Sequence, residues 1–247
     1  MQIMDCIEKP GAPSWAGHYF VPDEHGRELQ IHLCTNGYDN QSMHEREDGW
    51  DPSFGSVEPL AKDRFLLTSV DRSRQRYLRL MRWDRCTYAV YEDQMIEFIN
   101  MANGSWGGGD FPRKCVETKA QRYEDLNGYP ELPPQWRDFQ LKNEVVASVT
   151  SVEAYPPVEN KREYRITISA GRTAGLRPGF GMWLFCSDEF NDAQFVVDWT
   201  SKDESEAIVA QYDPAKTFDG DCVPKAGQKV SSRIPKNAWG KKVGRRK

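Results

Sequence analysis

The sequence of 247 residues lacks long apolar runs and a strong charge of either sign, and each absence excludes a class of protein. No window approaches the roughly 18 consecutive apolar residues that a spanning helix needs, which predicts no membrane span. The formal net charge of −4 excludes a uniformly basic surface built for polyanions, while it still allows local basic patches. The opening residues, MQIMDCIEKPGAPSW, contain no apolar segment typical of a signal peptide, so we expect a cytoplasmic protein unless a leader has been removed.

Closely spaced cysteines are absent as well. No C-x-x-C pair occurs, which removes the usual signature of zinc ribbons and of thioredoxin-type redox sites. An even number of cysteines does not imply a disulfide scaffold in a chain this long, so we predict buried free thiols. The six cysteines are Cys6, Cys34, Cys86, Cys115, Cys186 and Cys222.

The motifs of common catalytic sites are missing too. There is no G-x-S-x-G motif, and His44-Glu45 is not followed by the second histidine of a zinc protease. These absences favour a binding protein without catalytic activity and predict no cofactor. The alternative is an enzyme whose histidine, cysteine and carboxylate groups meet only in the folded chain. His32 and Cys34, two residues apart and on one face of a predicted strand, are the nearest such pair.

The sequence is rich in aromatic residues and in short runs typical of β-strands. Aromatics make up 12% of the chain. In the run 162–169, REYRITIS, apolar and polar residues alternate, as expected for a strand with one buried face. Six such runs can be recognised in each half of the chain. The predicted fold class is therefore mainly β, with two small barrel or sandwich-like domains.

One segment breaks the β pattern and predicts a short helix near residues 92–103. Met95, Phe98, Ile99 and Ala102 lie at positions i, i+3, i+4 and i+7, which places them on one face of a helix. Gly104 follows, and glycine commonly ends a helix because it adopts the left-handed conformation without strain.

The tandem prolines of ELPPQW, Glu131–Trp136, mark the clearest boundary in the chain. Consecutive prolines form a stiff, extended connector between folded parts. The predicted organisation is a loose arm at 1–14, an N-terminal β domain at 15–128, a Pro-containing connector at 129–143, a small β-barrel domain at 144–234 and a basic tail at 235–247.

The glycine-rich stretch AGRTAGLRPGFG, residues 170–181, is predicted to be a turn between two strands. A Walker loop needs a Lys-Ser or Lys-Thr pair after its last glycine and a helix to follow, and here the β-like run MWLF follows instead. Pro178-Gly179 suits the centre of a type II turn. Leu176 is placed to fill one end of a barrel.

These residues also carry resemblances to known families. The glycine stretch resembles the turn of small β-barrel modules, one of which occurs in the bacterial rod-shape-determining periplasmic scaffold protein. The runs 15–19, WAGHY, and 54–67, FGSV followed by DRFLL, resemble a lipocalin-like, calycin-type domain of bacteria. The helix followed by ELPPQWR is similar to an uncharacterised bacterial two-domain family that combines these modules. The resemblance implies barrel topology and no particular activity.

All four histidines lie near the start of the chain, and two of them are candidate metal ligands. In the hairpin predicted around residue 25, His18 and His32 would be cross-strand neighbours. With Asp23 or Glu24 they could bind a metal ion. A surface histidine pair without a metal is the more common arrangement, so we predict no metal site.

The candidate binding residues lie in an arginine-rich strip at 64–85. Arginines interleaved with aromatics on a sheet are typical of single-stranded nucleic-acid binding, but they also occur on solvated sheets where they pair with acids. The strip leaves both interpretations open, with nucleic acid the less favoured. Its candidate binding residues are Arg72, Arg74, Arg76, Tyr77 and Trp83.

Taken from the sequence alone, the expected function is non-catalytic recognition of a protein partner or a small ligand. The alternatives are an enzyme with a site assembled in three dimensions and a single-stranded nucleic-acid binding protein that uses the strip.

Overall fold

A computed structural model describes residues 11–21, 29–42, 53–105, 111–116, 126–156, 161–185, 193–212 and 223–234. The chain divides into two compact units, each of which contains one closed β-barrel. The first unit comprises residues 1–98 and 109–133, and the second comprises 99–108 and 134–247.

The first unit contains an eight-stranded antiparallel barrel in which every strand pairs with its neighbours in chain order. The barrel closes where Phe20 of the first strand pairs with Arg113 of the eighth. The strands are β1 Gly17–Phe20, β2 Leu29–Cys34, β3 Gly37–Ser42, β4 Ser53–Ala61, β5 Arg64–Ser69, β6 Gln75–Trp83, β7 Cys86–Tyr91 and β8 Arg113–Cys115.

Alternating apolar side chains fill the interior of this barrel. In β5, the buried residues Phe65 and Leu67 alternate with more exposed neighbours, as the two-residue period of a strand requires. Trp15 packs against the core, with its ring 5.0 Å from that of Phe65. The buried core comprises Tyr19, Ile31, Leu33, Tyr38, Phe65, Leu67, Leu78, Ala89 and Tyr91.

A second apolar layer lies on the outer face of β6 and β7. The predicted helix is confirmed as α1, Met95–Ala102, after a short 3-10 turn at Glu92–Gln94. Phe98 of α1 contacts the rings of Trp83 and Tyr88, with centroids 6.2 and 5.3 Å away, and Met95 is fully buried. The helical spacing read from the sequence therefore covers a sheet surface that would otherwise be exposed.

The prediction of buried free thiols is wrong for the cysteines that the structure describes. Cys86 and Cys115 form a disulfide, and Cys34 is disulfide-bonded as well. Cys86 of β7 and Cys115 of β8 lie directly opposite each other in the sheet. Their separation of 29 residues in sequence conceals this adjacency, because it arises only when β8 closes the barrel.

The second unit contains a six-stranded closed barrel with a less sequential order, β10-β13-β12-β11-β14-β9. All six strands correspond to the six runs predicted in the second half of the chain. They are β9 Val146–Ala154, β10 Lys161–Ile168, β11 Gly181–Leu184, β12 Ala193–Thr200, β13 Ser205–Tyr212 and β14 Lys229–Ser231.

The interior of the second barrel is also packed with apolar side chains. Ile166 and Ile168 of β10 are fully buried, as the alternation in REYRITIS predicts. Leu176 is fully buried in the same core, and its predicted position at a barrel end stays a prediction. The two barrels and the one short helix confirm the predicted fold class.

Residues 99–105 belong to the second unit and are anchored there by side-chain hydrogen bonds. Asn100 donates to the Gly179 carbonyl and accepts from the Gly181 amide, at 2.9 and 3.0 Å. Asn103 donates to the Phe139 carbonyl and accepts from the Leu141 amide. The predicted domain limits at 128 and 144 stay a prediction. No helix in the described ranges is long and apolar enough to cross a membrane.

Candidate binding groove

The second unit contains an open groove of about 580 Å³. One wall is the segment that follows the tandem prolines, from Arg137 to Val146, and the other is the glycine turn, from Thr173 to Arg177. The two most conspicuous loops of the sequence thus come together at one site. The groove has the volume of a typical ligand site, about 300–1,000 Å³.

Hydrogen bonds to neighbouring elements fix the first wall. A 3-10 turn at Pro134–Phe139 carries the chain out of the proline segment, and Asn103 then bonds to both Phe139 and Leu141. At the far end, the Val145 amide donates to the hydroxyl of Ser232. The wall is therefore held in place at both ends before any ligand binds.

The second wall confirms the prediction of a turn. Gly175 and Gly179 have φ angles of +91° and +94°, a region that glycine adopts without strain. The Phe180 amide donates to the Arg177 carbonyl across Pro178-Gly179, the bond expected of a type II turn. The Leu141 side chain lies 3.3 Å from the position that a Cβ atom would occupy at Gly175, so a larger residue there would press on the opposite wall.

The groove is lined by three basic and two acidic side chains. Arg177 forms an ion pair with Asp138 at 3.4 Å, and the Glu144 carboxylate accepts a hydrogen bond from Ser231. Arg137 and Lys142 are exposed along the first wall. The lining therefore has a small excess of positive charge in a chain whose net charge is −4, and this excess favours a ligand that carries negative charge.

Gln140 lines the groove and carries a buried hydrogen-bond donor. Its amide nitrogen Nε2 has no hydrogen-bond partner among the residues that the structure describes. A buried donor without an acceptor destabilises a folded protein by about 1–3 kcal/mol. An acceptor on a ligand in the groove reaches this nitrogen only when the Gln140 side chain turns towards the groove, because the atom is not exposed to solvent.

No local sequence pattern marks Arg137, Gln140 or Lys142 as site residues. The sequence predicts only a connector for the proline segment and a turn for the glycine stretch. Their proximity depends on the pairing order of the second barrel, which no local pattern contains.

The sequence-predicted histidine pair is confirmed as a cross-strand pair. His18 and His32 are direct partners in β1 and β2, and their rings stack with centroids 4.1 Å apart. Asp23, Glu24 and His25 lie outside the described residues. Among the residues described, no group of three or more histidine, cysteine or acidic side chains could hold a metal ion.

The five candidates in the arginine strip occupy different environments. Arg72 and Arg74 lie in the exposed turn between β5 and β6. Arg76 lies over the ring of Tyr91, 3.6 Å from its centroid, and is paired with Asp93. Tyr77 is 44% exposed, whereas Trp83 is 4% exposed and donates from its indole nitrogen to the Gly128 carbonyl. Trp83 is therefore not available to stack on a base.

Several arginines of the strip pair with acidic side chains. Glu92 accepts hydrogen bonds from Arg64 through both carboxylate oxygens, at 2.9 and 3.0 Å, and from Arg79 at 2.6 Å. The hydrogen bonds from Arg64 hold the pKa of Glu92 below its usual range, and the same contact raises the pKa of Arg64. These contacts match the solvated-sheet interpretation of the strip.

The nearest candidate for a nucleophile is Cys34, two residues from His32. Cys34 is fully buried and disulfide-bonded, so it carries no thiolate in this state. The described residues thus supply no cysteine for the alternative enzyme mechanism.

No protein-family model, curated protein or solved structure matches this chain. The comparisons therefore assign the chain to no family.

Proposed function

We propose that this protein is a non-catalytic binding protein whose ligand lies in the groove of the second unit. The observation that carries the proposal is the groove of about 580 Å³, which is lined by Arg137, Gln140 and Lys142. A pre-formed concave surface with a few directed polar groups is typical of ligand sites.

The lining of the groove defines the chemistry of the ligand. Arg137 and Lys142 contribute positive charge to the lining, while Leu141 and Val146 add apolar surface. The complementary ligand is extended, acidic and partly apolar, such as a peptide segment in which glutamate alternates with an aliphatic residue. The sequence predicts a protein partner or a small ligand, and the groove adds the expectation that this ligand is negatively charged.

The strand order of the first barrel supports the proposed likeness to lipocalins. Eight antiparallel strands pair in chain order and close, which is the topology of an up-and-down barrel. Its interior is filled by the buried core that includes Phe65 and Leu78, so we place the ligand in the groove of the second unit and not inside this barrel.

The test is an NMR titration of the isotopically labelled full chain with two end-blocked peptides of equal length, Glu-Val-Glu-Leu and Lys-Val-Lys-Leu. We expect the acidic peptide to shift backbone signals of the groove walls in a saturable way and the basic peptide to leave them unchanged. Signal changes spread over both units, or none with either peptide, would contradict the proposal.

The variant Gln140→Met tests whether the Gln140 amide contributes to ligand binding without contributing to the stability of the fold. Methionine has a similar volume and removes the unsatisfied donor, so the melting temperature should stay the same or rise while acidic-peptide affinity falls. Lys142→Glu should also weaken binding. Lys225→Glu makes the same charge change in an exposed turn that does not line the groove, and it should leave binding unaltered.

A further inference from the structure

Three asparagines in the chain are followed directly by glycine, a pair that is prone to spontaneous deamidation. The backbone nitrogen of the glycine attacks the side-chain carbon Cγ of the asparagine, and glycine permits this approach because it has no Cβ and a wide range of backbone angles. A cyclic succinimide forms as the side-chain nitrogen leaves as ammonia. Water then opens the ring to aspartate or isoaspartate. The pairs are Asn36-Gly37, Asn103-Gly104 and Asn127-Gly128.

Burial and hydrogen bonds protect Asn103. It is 3% exposed, its side-chain nitrogen donates to the Phe139 carbonyl at 3.0 Å, and its side-chain oxygen accepts from the Leu141 amide at 2.9 Å. The nitrogen of Gly104 donates to the Met101 carbonyl. Attack on Asn103 therefore requires that these bonds break and that the site opens to water, which is a rare event in a packed region.

The β2–β3 hairpin protects Asn36 in a different way. Asn36 is exposed, but Gly37 is a buried residue of β3 that pairs with Cys34 of β2 across a tight turn. A Cβ atom at Gly37 would lie 2.6 Å from the carbonyl oxygen of Gly55, so the backbone of this glycine is closely packed. Gly37 must move out of the strand ladder before its nitrogen can reach Asn36.

Asn127 and Gly128 have neither kind of protection. Both are exposed and lie outside the helices and strands. The φ angle of Gly128 is +70°, and apart from its neighbours in sequence no described atom lies within 4 Å of the position that a Cβ would occupy there. Its nitrogen donates no hydrogen bond to any residue that the structure describes. The Asn127 side-chain nitrogen donates to the carboxylate of Asp84 at 3.4 Å, a long bond at the protein surface.

We propose that Asn127 is a spontaneous deamidation site of this protein and that the fold directs the reaction to it over the other two Asn-Gly pairs. The nitrogen of Gly128 bonds to Cγ of Asn127, ammonia leaves, and water supplies the oxygen of the new carboxylate. The proton of the Gly128 nitrogen passes to solvent, and the departing nitrogen takes one up from solvent. The site lies in the first unit, and the reaction does not depend on ligand binding in the groove.

The product changes the contacts of the turn between β6 and β7. Asp84 lies in that turn, and the neighbouring Trp83 donates from its indole nitrogen to the Gly128 carbonyl at 3.2 Å. A carboxylate at position 127 no longer donates from its side chain to Asp84, and the two like charges repel each other. Isoaspartate also lengthens the main chain just before Gly128. We therefore expect deamidation to weaken the hydrogen bond of the Trp83 indole.

The test is to incubate the full chain at mildly alkaline pH and to follow each Asn-Gly pair by peptide mapping with mass spectrometry. We expect Asn127 to convert at least about tenfold faster than Asn36 or Asn103, because protected pairs react only in the small population that opens locally. In guanidinium chloride with the disulfides reduced, the three pairs should convert at similar rates. Similar rates in the folded chain would overturn the proposal, and so would a preference for Asn127 that persists in guanidinium chloride.

Two variants extend the test. Asn127→Gln should remain unconverted at this position and leave the rates at Asn36 and Asn103 unchanged. Asn127→Asp should shift the indole NMR signal of Trp83 and accelerate its hydrogen exchange. Asn36→Asp is the matched control, because it adds the same charge at an exposed position in another turn. A Trp83 signal that Asn127→Asp leaves unchanged, or that Asn36→Asp shifts equally, would contradict the stated effect of the product.

Discussion

The ionised carboxylate of Glu92 links three elements of the first unit. Its carboxylate accepts hydrogen bonds from Arg64 and Arg79 and joins β5, β6 and the 3-10 turn. The hydrogen bonds from Arg64 and Arg79 favour the charged form, and they hold its pKa below the ordinary value of 4.5 despite partial burial. A folded-state pKa below the unfolded value stabilises the protein at neutral pH and loses that effect as pH falls through the folded pKa.

We therefore predict that Glu92→Gln lowers the free energy of unfolding at pH 7 by about 1 kcal/mol, the range expected for a partly exposed ion pair. The difference from wild type should shrink as pH falls below about 4.5. Urea unfolding at several pH values measures this. Glu97→Gln is the control. Glu97 is an exposed carboxylate on α1, and it is not the carboxylate that accepts hydrogen bonds from Arg64 and Arg79. A difference that grows in acid would contradict the stated role of Glu92.

At the scale of elements, the predictable parts of the fold were those with local periodicity. α1 was recognisable from the spacing of Met95, Phe98 and Ile99, and β10 from its alternation. Two strands of the first barrel were not recognisable. β3 has the polar sequence GYDNQS, and β8 has only the three residues RKC. Both form strands because the neighbouring strands supply hydrogen-bond partners, and this information is tertiary.

β8 needs more than its backbone hydrogen bonds to close the first barrel. It pairs with β1 through a single residue pair and with β7 through three. The Cys86–Cys115 disulfide joins β7 and β8 at the last of those pairs. A cross-link over a loop of this length restricts the unfolded chain by about 3–4 kcal/mol in the chain-entropy description.

We predict that the double variant Cys86→Ser/Cys115→Ser loses about 2–4 kcal/mol of unfolding free energy. Amide hydrogen exchange should accelerate first in β8 and β1, because the weakly paired seam opens before the rest of the barrel. Exchange in the second barrel should stay at its wild-type rate and serves as the internal reference. Uniform acceleration across both barrels would show that the disulfide does not act at the seam.

At the scale of the whole molecule, the barrel count and the second set of strands could be predicted, whereas the groove could not. The proline segment and the glycine turn are about 35 residues apart in sequence, and only the strand order of the second barrel brings them together. The same limitation applies to residues 99–105. Asn100 near the end of α1 belongs to the second unit, as do Asn103 and Ser105 after the helix, and the side chains of all three are buried.

The buried amides of 99–105 lead to the last prediction, on the limits of an autonomous C-terminal fragment. A fragment that starts at residue 144, as the predicted connector suggests, lacks the hydrogen bonds that Asn100 makes to Gly179 and Gly181. It also loses those between Ser105 and two side chains of the second barrel, Trp183 and Gln194. Each lost hydrogen bond removes about 0.5–1.5 kcal/mol of net stabilisation.

We therefore expect fragment 99–234 to unfold cooperatively and at a clearly higher temperature than fragment 144–234. Asn100→Ala in the longer fragment should move its melting temperature towards that of the shorter one, because it removes two of these bonds at once. Asn127→Ala is the control, since Asn127 bonds to Asp84, a residue that the longer fragment also lacks. Differential scanning calorimetry measures all four proteins. Equal melting temperatures for the two fragments would place the boundary of the second unit at the proline connector and make the 99–105 segment dispensable.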